Sequence, residues 1–117
     1  RDFVFVSDVV EAFIFAAASE VTGEVFNVGS GQPHSVNRLV ELLGGKAVHI
    51  PKRSGEPECT NADISKIEKV LGWRPTVSFE EGVRILKEQI HRWSDAPVWT
   101  PESIASATKQ WFEYLSV

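Results

Sequence analysis

The run Val9-Val10-Glu11-Ala12-Phe13-Ile14-Phe15-Ala16-Ala17-Ala18 constrains the fold more than any other stretch. It holds no Gly or Pro and is long enough for three helical turns, so a helix is expected from Val9 to about Ser19. Ser7 or Asp8 offers the oxygen to cap it. Apolar side chains occupy nearly every side of this helix, and such a helix must be buried on more than one side. A lone chain of 117 residues carrying it is therefore expected to self-associate or exchange elements, because the natural cover lies elsewhere.

The flanking segments alternate between strand and helix signals. Arg1 to Val6 (RDFVFV) reads as a short strand, and Glu24 to Val28 (EVFNV) as a second running into Gly29-Ser30-Gly31. Ser35 caps a helix with Val36, Leu39, Val40, Leu42 and Leu43 on its inner side, closed by Gly44-Gly45. Ala47 to Ile50 is a third short strand, stopped by Pro51. A basic loop follows, Lys52-Arg53-Ser54-Gly55-Glu56, and then a helix start at Asn61-Ala62-Asp63. Ile64, Ile67, Val70 and Leu71 give that helix an apolar face, and Trp73 after Gly72 suits a core plug. Ser78 to Glu81 is a capping box opening a helix through Val83, Ile85, Leu86, Ile90 and Trp93. Thr100-Pro101-Glu102 opens a last helix carrying Ile104, Trp111, Phe112 and Leu115. The expected class is α/β, a few short strands with packed helices. Two parts are expected: residues 1–94, and a linker with an amphipathic helix over 95–117.

Bulk composition excludes several classes. The net charge is −4, without the clustered Lys and Arg of a nucleic-acid surface. One or two arginines still suffice for a single anionic ligand. The one cysteine, Cys59, rules out an internal disulfide and a multi-thiolate metal site. No apolar run reaches membrane-spanning length. With Arg1 first and no methionine anywhere, the chain reads as a piece of a longer polypeptide.

Few residues carry chemistry. Gly29-Ser30-Gly31 between strand and helix invites comparison with a dinucleotide fingerprint, but His34 stands where the third glycine belongs. A tight turn fits it better. His34, His49 and His91 have no ligand spacing, and Cys59 suits a partly buried bystander. Tyr114 is the one tyrosine, with no lysine behind it. Arg1 and Arg53, near Asp2 and Glu56, remain. Surface ion pairs of small worth and a bidentate clamp on a diphosphate are equally good readings of their chemistry.

Four stretches in order then carry a resemblance: Arg1-Asp2-Phe3-Val4-Phe5-Val6-Ser7-Asp8-Val9; Val25-Phe26-Asn27-Val28-Gly29-Ser30-Gly31; Ala62-Asp63-Ile64-Ser65-Lys66 with Leu71-Gly72-Trp73-Arg74-Pro75; and Phe79-Glu80-Glu81-Gly82. From Arg1 to about Trp93 the chain resembles the C-terminal part of the NAD-dependent epimerase/dehydratase family, the extended short-chain dehydrogenase/reductases that act on nucleotide sugars. The resemblance implies a Rossmann-type parent whose N-terminal domain binds NAD and supplies the reacting tyrosine and lysine. It implies a C-terminal portion that grips the substrate's nucleotide diphosphate, with Arg1 and Arg53 near the phosphates and Glu56 at the ribose. Asp8 and Asp63 fall on helix-capping positions.

The same resemblance implies a cytoplasmic, homodimeric enzyme of polysaccharide biosynthesis, with no catalytic, cofactor or metal residue in these 117 positions and no turnover by them alone. A non-catalytic nucleotide-sugar-binding or subunit-assembly module is the alternative. The chain departs from the family pattern in places. Glu56 stands where aspartate is commoner, Phe5 replaces a frequent His or Tyr, and Gly44 to Val48 is short. The glycine-rich cofactor turn and the Tyr-x-x-x-Lys pair are absent from it.

Overall fold

Among the described residues five α-helices form in chain order: α1 Val6–Ala18, α2 Val36–Leu43, α3 Ser65–Leu71, α4 Phe79–Glu88 and α5 Pro101–Leu115. The structure, a computed structural model, describes residues 1–45, 47, 49 and 55–115. A 3₁₀ turn, Ile90–Trp93, follows α4. The expected helix through Trp93 thus ends at Glu88, and Ile90 and Trp93 are exposed.

Helix α1 begins three residues earlier than its sequence suggested, and neither Ser7 nor Asp8 caps it. Phe5 is its extended N-cap residue and has no side-chain cap bond. Asp8 lies instead inside the first turn, only 1% exposed. Its carboxylate accepts from Thr76 N at 3.0 Å, Thr76 Oγ1 at 2.9 Å and Val77 N at 3.1 Å. Its backbone carbonyl accepts from Trp73 Nε1 at 3.1 Å. A buried carboxylate has to be hydrogen-bonded, and here those bonds strap residues 73–77 onto α1.

The core is small. Ala12, Ile67 and Trp73 are buried together, with Phe26, Val28, Ile64 and Leu71 packed around them. Trp73 is the plug its position suggested. A second contact joins α2 to α4, where Val83 and Gly82 are buried. A Cβ on Gly82 would sit 3.0 Å from the Phe5 ring, so the residue's lack of a side chain lets α4 approach that ring. Phe79 stacks on Phe3, centroids 5.1 Å apart.

The cap signals of α2 and α4 were accurate, unlike that of α1. Ser35 Oγ accepts from Arg38 N at 3.0 Å, and Ser78 Oγ accepts from Glu81 N at 3.3 Å. Asp63 Oδ1 accepts from Ser65 N at 2.9 Å at the head of α3. Gly44 and Gly72 close α2 and α3 at φ of +77° and +69°, the left-handed region where glycine has no Cβ penalty. The capping box at Ser78 is one-sided, however: Glu81 turns to Arg84, which donates from Nε to Glu81 Oε2 at 2.8 Å.

The first two expected strands did not form. Among the described residues the one β-contact is an isolated antiparallel bridge between Asp2 and Pro33. Residues 24–28 are extended, and the two-residue alternation is real, since Phe26 and Val28 meet the core while Val25 is exposed. A strand also needs a neighbouring backbone that completes its ladder, and among the described residues no backbone group is bonded to the backbone of this segment. The third expected strand, 47–50, falls largely outside the described residues. Among the described residues the expected α/β class is thus met only in part: the chain is mostly helical, with extended segments where the first two strands were expected.

Helix α1 remains uncovered. Val6, Val10, Phe13 and Ile14 are exposed, Phe13 to 72%, and only Asp8 and Ala12 of this helix are buried. The radius of gyration is 17.7 Å, against about 13 Å for a compact domain of this length.

Candidate functional site

The site is assembled by Asp2. Its Oδ1 accepts from Ser30 N at 2.7 Å and from Ser30 Oγ at 2.6 Å. Its Oδ2 accepts from Ala62 N at 2.9 Å and Gly31 N at 3.2 Å. One carboxylate thus pins the chain start, the 29–31 turn and the segment before α3. The packing is tight enough that a Cβ on Gly29 would lie 2.5 Å from Ala62 Cβ and 2.7 Å from Asp2 Oδ2. Burial pushes the Asp2 carboxyl pKa up, but the bonds from Ser30, Ala62 and Gly31 outweigh it and hold the pKa below its ordinary value.

These bonds decide the nature of the Gly29-Ser30-Gly31 turn. Its Ser30 and Gly31 amides, which a dinucleotide phosphate would need, point at Asp2. The residues present do not fit a cofactor phosphate; they fit a tight turn, with Gly31 at φ +70°. Asp2 is also no ion-pair partner for Arg1 in this arrangement, its oxygens being directed at these backbone and hydroxyl donors.

Arg1 stands beside this knot. Its backbone exchanges two hydrogen bonds with His34, Arg1 N donating at 2.6 Å and His34 N donating back at 2.8 Å. That exchange aims the Arg1 side chain across the chain at the 56–57 segment. Nη2 donates to Glu56 Oε1 at 2.8 Å and Nη1 to the Pro57 carbonyl at 2.6 Å. Arg1 and Glu56, 55 positions apart, therefore converge. They border an open hollow of about 500 Å³, lined also by Pro33, His34, Ser35 and Cys59. Arg53, the other expected phosphate ligand, lies outside the described residues.

Some features of the hollow were not legible in the sequence. The His34 ring stacks on Phe79, centroids 4.4 Å apart and planes 11° apart, and the residue lines the hollow's wall. Nothing in the local pattern marks that histidine, because Phe79 is brought to it only by the fold. Cys59, expected to be partly buried, is exposed at the rim. No group of three metal-ligating side chains occurs among the described residues.

Chemically, the hollow offers a guanidinium and a carboxylate on one wall. That is the equipment for holding an anion and a hydroxyl.

The family model described as GDP-mannose 4,6 dehydratase matches residues 1–86. The UDP-glucose 4-epimerase of Mycolicibacterium smegmatis is 36% identical over 89 residues, covering 71% of this chain and 28% of that protein. The crystal structure of UDP-glucose 4-epimerase with UDP-glucose from Thermotoga maritima superposes with a TM-score of 0.69 at 37% identity, covering 79% of this chain and 31% of that one. The structure of RMD from Pseudomonas aeruginosa complexed with NADPH gives the same TM-score, 0.69, at 28% identity, over 79% of this chain and 33% of that one. The chain thus spans about a third or less of the length of these proteins. Matched over residues 1–86, the chain belongs to the NAD-dependent epimerase/dehydratase family.

Proposed function

We propose that this chain is the C-terminal, substrate-gripping portion of an enzyme that interconverts nucleotide sugars, as an NAD-dependent epimerase or dehydratase. Family membership and the names of the relatives support that class. The observation that carries the finer reading is the convergence of Arg1 and Glu56, 55 positions apart in the chain, on one hollow. Arg1 holds the diphosphate, Arg53 joins it from the neighbouring loop, and Glu56 meets the ribose. Residues 1–94 form the gripping part and 95–117 an appended segment.

NAD is bound by the rest of the enzyme, since the 29–31 turn has its amides engaged by Asp2. The reacting groups lie there too, so this portion contributes position rather than bond-making. Energy from remote binding contacts of that kind holds the sugar against the reacting groups. We place the enzyme in the cytoplasm as a homodimer; no helix of the described residues is long and apolar enough to cross a membrane.

Arg1→Gln tests the reading. It is expected to weaken binding of a nucleoside diphosphate to the intact protein about tenfold, the worth of one charge-assisted fork. Calorimetry measures this directly. Unchanged affinity would remove the diphosphate from this hollow.

A second reading, a subunit-assembly module, is favoured by one observation. Trp111 and Tyr114 are exposed on α5, outside the family match that ends at residue 86.

A further inference from the structure

The Arg1 fork is occupied from within the chain. Its two terminal nitrogens donate to Glu56 Oε1 at 2.8 Å and to the Pro57 carbonyl at 2.6 Å. The Arg1 and Glu56 side chains are 28% and 39% exposed, so an incoming anion can reach the pair. A phosphate that takes both terminal nitrogens end-on displaces the Glu56 carboxylate from Nη2 and the Pro57 carbonyl from Nη1. Until it is displaced, that carboxylate also repels the phosphate.

We propose that Glu56 is an internal competitor for Arg1, a latch that holds the anion site closed until a phosphate opens it. This rests on the reading of the hollow as a diphosphate site. In two-state terms, the apparent dissociation constant is the intrinsic one divided by the fraction of molecules with the latch open. The latch also organises the wall: in the closed state Arg1 is held to the 56–57 segment, and the guanidinium is kept at the hollow instead of sweeping solvent. Glu56 thus has a role before the ligand arrives, separate from any contact with a ribose after it.

Inorganic pyrophosphate separates the two roles, since it has no ribose. Its binding to the intact protein is measured by calorimetry in wild type, Glu56→Gln, Arg1→Gln and Glu24→Gln. The last variant removes the same unit charge from a carboxylate paired with Lys66 at 2.8 Å, away from the hollow. Glu56→Gln is expected to bind pyrophosphate about two- to fivefold more tightly, the range of a solvent-exposed ion pair, with no gain in Glu24→Gln. An equal gain in Glu24→Gln would reduce the effect to net charge and overturn the latch. Loss of binding in Arg1→Gln with no gain in Glu56→Gln would overturn the latch and leave the diphosphate site standing. Binding unaffected by Arg1→Gln, or absent from wild type and Glu56→Gln alike, would overturn the site and the latch together.

Discussion

At the scale of single residues, the knot at Asp2 explains why the site exists. Four backbone or hydroxyl donors from two remote segments meet one carboxylate, at 2.6 to 3.2 Å. Asp2→Asn keeps the shape but loses the charge and turns one acceptor into a donor facing donors. The expected loss of stability is about 1–3 kcal/mol. The sign of its pH dependence follows from the lowered pKa. A carboxylate with a depressed folded pKa stabilises the fold above its unfolded pKa, about 3.9 for an aspartate, and that contribution fades as pH falls through the folded pKa. Denaturant melts of wild type and variant should therefore differ at pH 6, and the gap should begin to close near pH 4 and vanish only as pH falls through the lowered folded pKa. A gap unchanged at low pH would mean the loss is packing rather than charge. None of this was legible locally. The sequence pairs Asp2 with its neighbour Arg1, whereas the fold pairs Asp2 with Ala62, 60 positions on. The Arg1–Glu56 juxtaposition was likewise reachable only through family resemblance, because residue chemistry left a surface ion pair and a phosphate clamp equally open.

At the scale of elements, what could be read was what is decided within one helical turn. Ser35 and Ser78 cap the helices they precede, and Gly44 and Gly72 end theirs, because each bond spans three or four residues. Ser7 shows the limit of the same rule. It looks like a cap, yet α1 starts at Val6 and has no side-chain cap bond. Ser78→Ala is expected to cost about 1 kcal/mol, while Ser7→Ala should stay within about 0.5 kcal/mol. Thermal or urea melts decide between them, and equal effects would contradict the cap assignment. The strands failed for the complementary reason. Residues 24–28 have the right alternation, with Phe26 and Val28 on the core. A ladder is a property of two segments, and sequence alternation in one of them cannot supply the other.

At the scale of the whole molecule, the quantity that matters is uncovered apolar area. The buried core holds Ala12, Ile67 and Trp73, while α1 presents Val6, Val10, Phe13 and Ile14 to solvent and α5 presents Trp111 and Tyr114. The 17.7 Å radius of gyration says the same in one number. Two elements thus compete to drive association of the 117-residue chain, and they answer different questions. Covering α1 is a matter of completing a fold, since its apolar run leaves almost no polar side; covering α5 would be an assembly function. Burying one Phe side chain is worth about 1.5–3 kcal/mol, so placing a charge at Phe13 should shift self-association by about an order of magnitude or more. Light scattering and sedimentation of this chain should therefore show association in the wild type, reversal by Phe13→Glu, and persistence in Trp111→Ser with Phe112→Ser. The opposite pattern, dissociation by the α5 changes alone, would move the assembly role to α5. A monomeric wild type would show that the faces on α1 and α5 are tolerated in water, and that neither drives association.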